Sequence, residues 1–449
     1  MMVPDPAEGP EHLTELVEAE LAALAVRLAG EVAERLTGLD GIGDRHDPAR
    51  EAFAHQLLME RLEVLAREFI TQGRDPLSEA AEEELVERVQ ARLFGLAELD
   101  RLVRDPSIEN VFCNRFDQVF VKRTDGGKEE VAAISDSDDG LAELLRQAAA
   151  RDGRSERRFD RGQPWVSFQL GDARLTAVRE VSGATVFALR RHGKRTADLQ
   201  HLYEVGTISQ ALLGLFNAAV HARLNLLIVG GTDAGKTTLL RALINAVPPQ
   251  ERLVTVEDAL ELQLAKDSLR HPDVVELECR EQNIEGQGEV TMRDLTRLAL
   301  RLSPDRVIVG EARGPEILEM FQAMSQGNDG SMGTLHARSS ADAFVQIMRY
   351  ALKAPEHLTP EAVVVDIAAS LDWVIHLHKL RDGRRVVSSV REITGYDAAQ
   401  VISNEVFTPD PFGRASFSGR PFQERTLDTL IDHGFDPRLL DVSDGTWTW

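Results

Sequence analysis

Apolar side chains recur at steps of three to five positions through the first hundred residues. The spacing is clear in residues 11–39, where acidic residues occupy many intervening positions, and it returns in residues 48–72 and 78–94. Because an α-helix turns once in 3.6 residues, this spacing predicts three amphipathic helices. We predict an acidic helical module over residues 1–100, whose acids form a solvated outer face.

The pattern changes to short β-type runs near residue 105. These runs are 110–113, 119–122, 165–170, 173–179 and 185–190, and a helical stretch at 140–150 interrupts them. Runs of this length, rich in branched and aromatic residues and bounded by turn residues, indicate strands. We therefore predict an α+β N-terminal domain over residues 101–200.

From residue 209 onward, helical stretches alternate with strongly apolar runs. The runs are 224–229, 253–256, 307–309, 332–335 and 373–377. Such alternation predicts a mainly parallel sheet covered by helices, and hence an α/β fold. We place this domain at residues 201–400 and a C-terminal tail at 401–449.

The first apolar run of that domain leads into a glycine-rich loop and then into helical spacing. The loop matches the pattern GxxxxGK[ST] and consists of Gly230, Gly231, Thr232, Asp233, Ala234, Gly235, Lys236, Thr237 and Thr238. Glycines let successive backbone N–H groups surround phosphate oxygens, and the helix N-terminus adds positive potential. Lys236 can then reach the β- and γ-phosphates, and Thr237 can offer its hydroxyl to Mg²⁺. The alternative is a glycine-rich turn with a solvated lysine.

Glu311 ends the apolar strand over residues 306–310. A carboxylate there is suited to position or activate a water molecule near the γ-phosphate. Glu257, Asp258 and Glu261 follow another apolar run, and ligands of open α/β sheets bind at that strand edge. These acids could hold Mg²⁺ through water. Alternatively, Glu311 is a solvated strand-end acid and the others are an acidic cluster without a catalytic part.

His336 also lies at the end of a short strand, over residues 332–335. A lone histidine is most often structural. Because His336 follows a strand at the edge of the sheet where nucleotide is expected to bind, a role in sensing the bound nucleotide is as well supported as a structural role.

The net charge and its distribution along the chain bear on which partners the protein can bind. The 449 residues include 51 Lys+Arg and 74 Asp+Glu, a net charge of −23, which argues against passive coating of nucleic acid. Residues 1–100 hold 23 acidic and 9 basic side chains, whereas residues 151–200 hold 11 basic and 6 acidic ones. This asymmetry indicates modules with different partners.

Targeting and redox features are consistent with a cytoplasmic chain. The two cysteines lie far apart, outside any CxxC or His/Cys cluster, so neither a disulfide framework nor a structural zinc site is indicated. The first residues do not follow the signal-peptide pattern, and no apolar run reaches the length of a membrane span.

The ordered motifs together resemble the ATPases of type II and type IV secretion systems, in particular the branch that assembles tight-adherence (Flp) pili. Residues 230–238 resemble the family's Walker A motif, and residues 255–262 (TVEDALEL) its Asp box. Residues 306–316 (RVIVGEARGPE) resemble its atypical Walker B motif, and residues 327–339 (GNDGSMGTLHARS) its His box.

This resemblance implies a RecA-like ATPase domain, an N-terminal domain that closes over ATP, and a homo-hexameric ring. It implies that Lys236 binds phosphate, that Thr237 and Asp258 serve Mg²⁺, and that Glu311 is the catalytic carboxylate. Glu257 and Glu261 would support the metal and water, and His336 would couple nucleotide state to conformation. The arginine candidates that complete the site are Arg190, Arg191 and Arg280.

The sequence departs from the family pattern within two of the motifs. Asp233-Ala234 replaces Gly-Ser in the loop, and Asp233 adds negative charge beside the phosphates. Aspartate tolerates a left-handed backbone, so the loop fold can survive while tight ATP binding is less assured. Gly333 stands where a second threonine is common.

The leading hypothesis is a Mg²⁺-dependent ATPase at the inner face of the membrane that drives pilus or pseudopilus assembly, or protein secretion. Its expected partner is an inner-membrane platform protein, and no direct nucleic acid is expected. One alternative is a conjugative DNA-transfer ATPase, because related ATPases serve DNA transfer. Another is a nucleotide-binding scaffold with weak hydrolysis, motivated by Asp233.

Overall fold

A computed structural model describes residues 21–36 (apart from 22, 33 and 34), 48–94, 98–124, 126–151, 158–191, 198–282, 286–397 and 400–440. The chain divides into two compact units, Met1–Arg191 and His192–Trp449. The first ends nine residues before the boundary that we predict at residue 200. Most of the helix predicted over 11–39 lies outside the described residues, but the described residues between 21 and 36 are helical.

The first unit begins with helices, as the apolar spacing predicts. They are α1 (Pro48–Thr71), α2 (Glu79–Phe94) and α3 (Glu98–Arg104). The described apolar side chains at helical spacing, such as Leu58, Leu65 and Leu85, are fully buried in one core with Leu28. The apolar spacing of three to five positions thus identifies the side of each helix that is buried.

An antiparallel six-stranded sheet follows in the same unit, in the order β3-β2-β1-β6-β5-β4. Its strands are β1 (Ile108–Arg115), β2 (Gln118–Arg123), β3 (Lys128–Val131), β4 (Trp165–Leu170), β5 (Ala173–Val178) and β6 (Val186–Arg191), with α4 (Asp138–Arg151) between β3 and β4. Alternate residues of β4 are buried, including Val166 and Phe168. The predicted α+β character is confirmed, and β3 is an additional strand that the sequence pattern did not reveal.

The second unit contains a nine-stranded sheet in the order β15-β14-β13-β12-β7-β11-β10-β8-β9. The parallel strands are β7 (Leu226–Gly230), β8 (Leu253–Glu257), β9 (Val274–Glu278), β10 (Arg306–Ala312), β11 (Met332–His336) and β12 (Trp373–Lys379). The antiparallel strands are β13 (Arg385–Asp397), β14 (Gln400–Pro409) and β15 (Ala415–Phe417). The strand that leads into the glycine-rich loop therefore lies inside the sheet, between β12 and β11. The predicted α/β fold with a mainly parallel sheet is confirmed.

Helices accompany this sheet along the chain. They are α5 (Leu199–Glu204), α6 (Gln210–His221), α7 (Lys236–Ile244), α8 (Met292–Ala299), α9 (Ile317–Ser325), α10 (Asp342–Ala351), α11 (Pro360–Ser370) and α12 (Glu424–Asp432), with 3₁₀ turns at Leu264–Lys266 and Pro437–Leu440. Both faces of β7 are covered, because Leu226 and Ile228 belong to one core and Leu227 and Val229 to another. Burial on both faces explains why this strand reads as a continuous apolar run.

Residues 401–440, which we expected as a tail, contribute to the second unit. β14 pairs with β13, β15 pairs with β14, and Phe422 stacks on Trp373 with ring centroids 5.3 Å apart. Residues 441–449 lie outside the described residues. Among the helices that the structure describes, none is long and apolar enough to cross a membrane.

Candidate functional site

The glycine-rich loop connects β7 to α7, in the strand-loop-helix context that the motif requires. A Cβ added to Gly230 would lie 2.6 Å from the carbonyl oxygen of Leu377, so only glycine lets the β12 backbone approach this closely. Gly235 has φ +96° and is the N-cap of α7, without a side-chain cap. The first-turn amides of a helix have no intrahelical acceptor and can bind an anion here. Thr237 and Thr238 lie in this first turn.

Lys236 is folded back across the loop, with its side chain only 8% exposed. Its Nζ donates to the carbonyl oxygens of Gly230 and Gly231 at 3.3 and 3.1 Å. It also lies 3.8 Å from Oε1 of Glu311 and 3.3 Å from Nδ1 of His336. The structure thus brings together the predicted phosphate lysine, the predicted catalytic carboxylate and the predicted sensing histidine.

The register of the sheet explains this meeting. β11 lies between β7 and β10, and His336 pairs with Gly230 at the end of both strands. Thr334 extends the cluster by donating its hydroxyl to the carbonyl of Gly310 at 2.7 Å. Because parallel strands end at one edge, Glu311 and His336 reach the loop from neighbouring strands.

His336 donates from Nε2 to Oε1 of Glu311 over 2.7 Å, since a carboxylate can only accept. Burial, with the positive charges of Lys236 and Arg313, lowers the pKa of His336 below its ordinary value, although Glu311 opposes this shift. The lowered pKa favours the neutral imidazole, whose Nδ1 can accept from Lys236 at 3.3 Å.

Arg313 is a site residue to which sequence reasoning gave no role. Its Nε donates to Oε2 of Glu311 at 2.7 Å, and a second guanidinium nitrogen lies 3.3 Å from Oδ2 of Asp258. Burial would lower the pKa of Arg313, but Glu311 and Asp258 outweigh it and raise the pKa. The available signal was its position directly after β10 ends at Ala312, at the edge of the sheet where ligands of open α/β folds bind.

Glu257 lies at the end of β8, where only 3% of the residue is exposed. Its Oε2 accepts the backbone N–H groups of Glu261 and Leu262, each at 2.9 Å. Burial raises the pKa of Glu257 to about 8, although the two backbone hydrogen bonds oppose the shift. The carboxyl group is thus engaged in shaping the turn that leads to Glu261, whereas Asp258 is half-exposed and faces Arg313.

The three arginine candidates have different environments. Arg191 donates to the backbone carbonyls of Val103, Asp105 and Ile108 within the first unit. Arg190, the residue before it on β6, is exposed. Arg280 donates from Nε to the carbonyl of Gly288 at 2.7 Å and is also exposed.

Asp233 is ion-paired on both carboxylate oxygens. Lys379 Nζ lies 2.5 Å from Oδ2, and Arg385 donates to Oδ1 at 2.6 Å. Burial would raise the pKa of Asp233, but hydrogen bonds from these two cations outweigh it and lower the pKa to about 2. Sequence reasoning did not find these partners, because 146 and 152 residues separate them from Asp233.

The described residues include no group of three or more His, Cys, Asp or Glu side chains arranged to hold a metal ion. Mg²⁺ at phosphate sites is commonly bound by only one or two side chains, together with substrate phosphates and water. The hydroxyl of Thr237 and the carboxylate of Asp258 are suitable oxygen donors for that ion.

Comparison with known proteins gives a consistent family. A family model described as "Type II/IV secretion system protein" matches residues 95–398. A putative conjugal transfer protein of Mycobacterium tuberculosis is 37% identical over 311 residues, which are 67% of this chain and 85% of that protein. The probable conjugal transfer protein TrbB of Sinorhizobium fredii is 28% identical over 289 residues, which are 62% of this chain and 83% of that one.

Among solved structures, the chain is similar to the VirB11 ATPase from the Brucella suis type IV secretion system, determined in complex with sulphate. The two are 25% identical, with a TM-score of 0.36, and the match covers 66% of this chain and 95% of the other.

Proposed function

The chain belongs to the type II/IV secretion system protein family, and we propose that it is a Mg²⁺-dependent ATPase that converts ATP hydrolysis into mechanical work for a secretion or pilus system. The observation that carries the proposal is the meeting of Lys236, Glu311 and His336 at the mouth of the glycine-rich loop. The meeting supports the proposal, because a lysine suited to bind phosphates lies near a carboxylate suited to orient water.

The loop residues divide the work of binding. The backbone from Gly230 to Thr238 cradles the phosphates, and Lys236 leaves the carbonyls of Gly230 and Gly231 to bind the β- and γ-phosphates. Mg²⁺, when bound with ATP, neutralises charge that develops on the phosphoryl oxygens. Thr237 and Asp258 are the residues that would hold it.

Glu311 orients the attacking water, and His336 holds the Glu311 carboxylate. When a phosphate draws Lys236 away, the imidazole loses one neighbour and keeps the other, so its position can report the nucleotide state. Glu257 acts through the turn that it caps, which presents Glu261 at the same edge.

The full motor requires partners beyond this chain. We propose a homo-hexamer at the cytoplasmic face of the inner membrane that acts on a membrane platform protein. Arg190 and Arg280 are exposed and suited to reach the nucleotide of a neighbouring subunit, whereas Arg191 already donates to three carbonyls of its own unit.

Pilus or pseudopilus assembly of the tight-adherence type, or protein secretion, is the first candidate for the work performed. A conjugative DNA-transfer motor is the second, and it is favoured by similarity to proteins named as conjugal transfer proteins. The net charge of −23 argues against direct DNA binding. A scaffold with weak hydrolysis is less well motivated, since Asp233 is paired with two cations.

Phosphate release by the purified chain, with ATP and Mg²⁺, tests the enzyme proposal. We expect hydrolysis by the wild type and a loss of at least about a hundredfold in both Lys236→Ala and Glu311→Gln. Lys353→Ala, on an exposed surface of the second unit, serves as the matched lysine control. Unchanged turnover in both site variants would refute the mechanism, and stimulation by DNA that weakens with salt would favour the conjugative motor.

A further inference from the structure

Two features of Asp233 are unfavourable in a loop that binds phosphate: its backbone conformation and its negative charge. Its φ of +59° is a left-handed backbone conformation, which aspartate tolerates better than most residues. Its carboxylate also adds a negative charge to a loop whose proposed ligand is a polyphosphate. The structure shows how the chain accommodates both features.

Arg385 donates hydrogen bonds to both the backbone and the side chain of Asp233. Its Nε donates to the backbone carbonyl of Asp233 at 2.9 Å, and its guanidinium donates to the carboxylate at 2.6 Å. Its Cδ lies 3.3 Å from where a Cβ of Gly235 would stand. Arg385 therefore fixes the left-handed residue from both its backbone and its side chain, and packs against the glycine that starts α7.

Lys379 and Arg385 are directly opposite each other at the end of the β12–β13 pair. β12 also pairs with β7, and Leu377 lies opposite Gly230. The sheet thus places both cations beside the loop, and their positions do not depend on a flexible connection. Together with Asp233 they leave one net positive charge at this place.

We propose that Lys379 and Arg385 are positioning residues of the nucleotide site, which neutralise Asp233 and hold the loop in its phosphate-binding shape. The inference rests on the proposed function, because it assumes that the loop binds nucleotide. Removing one cation leaves a net charge of zero beside the phosphates, and removing Asp233 as well restores the net charge of one. Nucleotide affinity should rise and fall with the net charge of Asp233, Lys379 and Arg385, since Coulomb interactions near a partly buried loop remain substantial.

Binding of ADP with Mg²⁺ to the full chain, measured by titration calorimetry, tests the inference. We expect Lys379→Met to weaken binding about tenfold and Asp233→Asn to tighten it severalfold. The double variant Lys379→Met/Asp233→Asn should return to within about threefold of wild type. Raising the salt concentration should shrink all of these differences, because screening weakens charge interactions.

Arg384→Gln is the matched control, because Arg384 lies on the same hairpin and pairs with Asp382. It should leave ADP affinity within about twofold. If Lys379→Met fails to fold, Lys379→Gln and Lys379→Gln/Asp233→Asn repeat the test with a polar side chain at the same position. Conservative Lys379→Arg should retain binding.

The outcomes separate this inference from the proposed function. If the wild type does not bind ADP, the proposed function fails and the inference falls with it. If the wild type binds and Lys379→Met binds equally well, only the inference is overturned. A loss in Lys379→Met that Asp233→Asn does not restore would show a structural contact without charge compensation, and would also overturn it.

Discussion

The Nε2 atom of His336 lies 2.7 Å from Oε1 of Glu311, although the two residues are 25 positions apart in the chain and a whole helix, α9, lies between them. The contact exists because β10 and β11 are parallel neighbours that end at the same edge of the sheet. The same edge carries Gly230, the start of the glycine-rich loop. A carboxylate proposed to orient water is therefore held by a side chain that also contacts the proposed phosphate lysine.

Substitution of His336 should separate hydrolysis from binding. We expect His336→Ala to lower kcat by about ten- to a hundredfold, because Glu311 loses the donor to its Oε1 atom and keeps only Arg313 on Oε2. The KM for ATP should change by less than about threefold, since Lys236 and the loop backbone remain. Steady-state phosphate release over a range of ATP concentrations gives both constants.

His221→Gln is the control for the His336 experiment, because His221 is an exposed histidine at the end of α6, outside the four motifs, and its imidazole contacts the backbone carbonyl of Asn217. It should leave both constants unchanged. A His336→Ala variant with full kcat would show that the contact with Glu311 has no part in turnover.

Much of this site could be predicted from local sequence. The loop over 230–238, the strand that carries Glu311 near its end and the strand that ends at His336 are each recognisable within about ten residues. Parallel strands place such ends on one edge of the sheet. The pairing of Asp233 with Lys379 and Arg385 could not be predicted from the sequence, because it depends on the order of strands in the sheet. Local pattern does not indicate that β12 lies beside β7.

The role of Glu257 shows a second limit. Sequence reasoning assigned it to the support of metal and water, from its position at a strand end. Its near-complete burial follows from the place of β8 between β10 and β9, and its two backbone hydrogen bonds follow from the path of the turn to Leu262. Neither the strand order nor the turn geometry can be read from the residues 255–262.

Gly333, a departure from the family pattern, has a steric explanation. A Cβ at this position would lie 2.6 Å from Sδ of Met320 on α9. We expect Gly333→Ala to destabilise the protein by about 1–3 kcal/mol, as overpacking of a core usually does. Urea unfolding monitored by circular dichroism measures this loss.

The Gly333 effect should depend on Met320. In a Met320→Ala background, Gly333→Ala should cost less than half as much, because the atom that it meets is gone. Equal costs in the two backgrounds would show that this contact does not exclude a side chain.

Arg306 is fully buried, and the carboxylate of Glu251 compensates its positive charge. Two of its guanidinium nitrogens lie 2.8 and 2.7 Å from the two carboxylate oxygens. Glu251→Gln should cost about 3–5 kcal/mol, because it leaves a buried charge without its counter-charge. Asp382→Asn, which breaks the exposed pair with Arg384, should leave the urea midpoint almost unchanged. Similar urea midpoints for the two variants would contradict this account.

His376 should make the stability of the second unit depend on pH. Only 9% of the residue is exposed, and its Nδ1 lies 2.6 Å from the hydroxyl of Ser388. Burial, helped by the neighbouring His378 and opposed by Glu405, lowers the pKa of His376 from 6.5 to about 4. The folded state therefore disfavours the protonated form more than the unfolded state does. The stabilisation is present above pH 6.5 and is lost as the pH falls from 6.5 toward 4.

Between pH 7 and pH 5, this one group should remove about 2 kcal/mol from the free energy of unfolding. Urea titrations at the two pH values, on the wild type and on His376→Gln, measure the effect. The variant has no titrating group at this position, so its stability should fall by about 2 kcal/mol less than that of the wild type. His378→Gln, at the exposed end of the same strand, should retain most of the wild-type pH dependence. Equal losses in wild type and His376→Gln would mean that the buried imidazole does not couple folding to protonation.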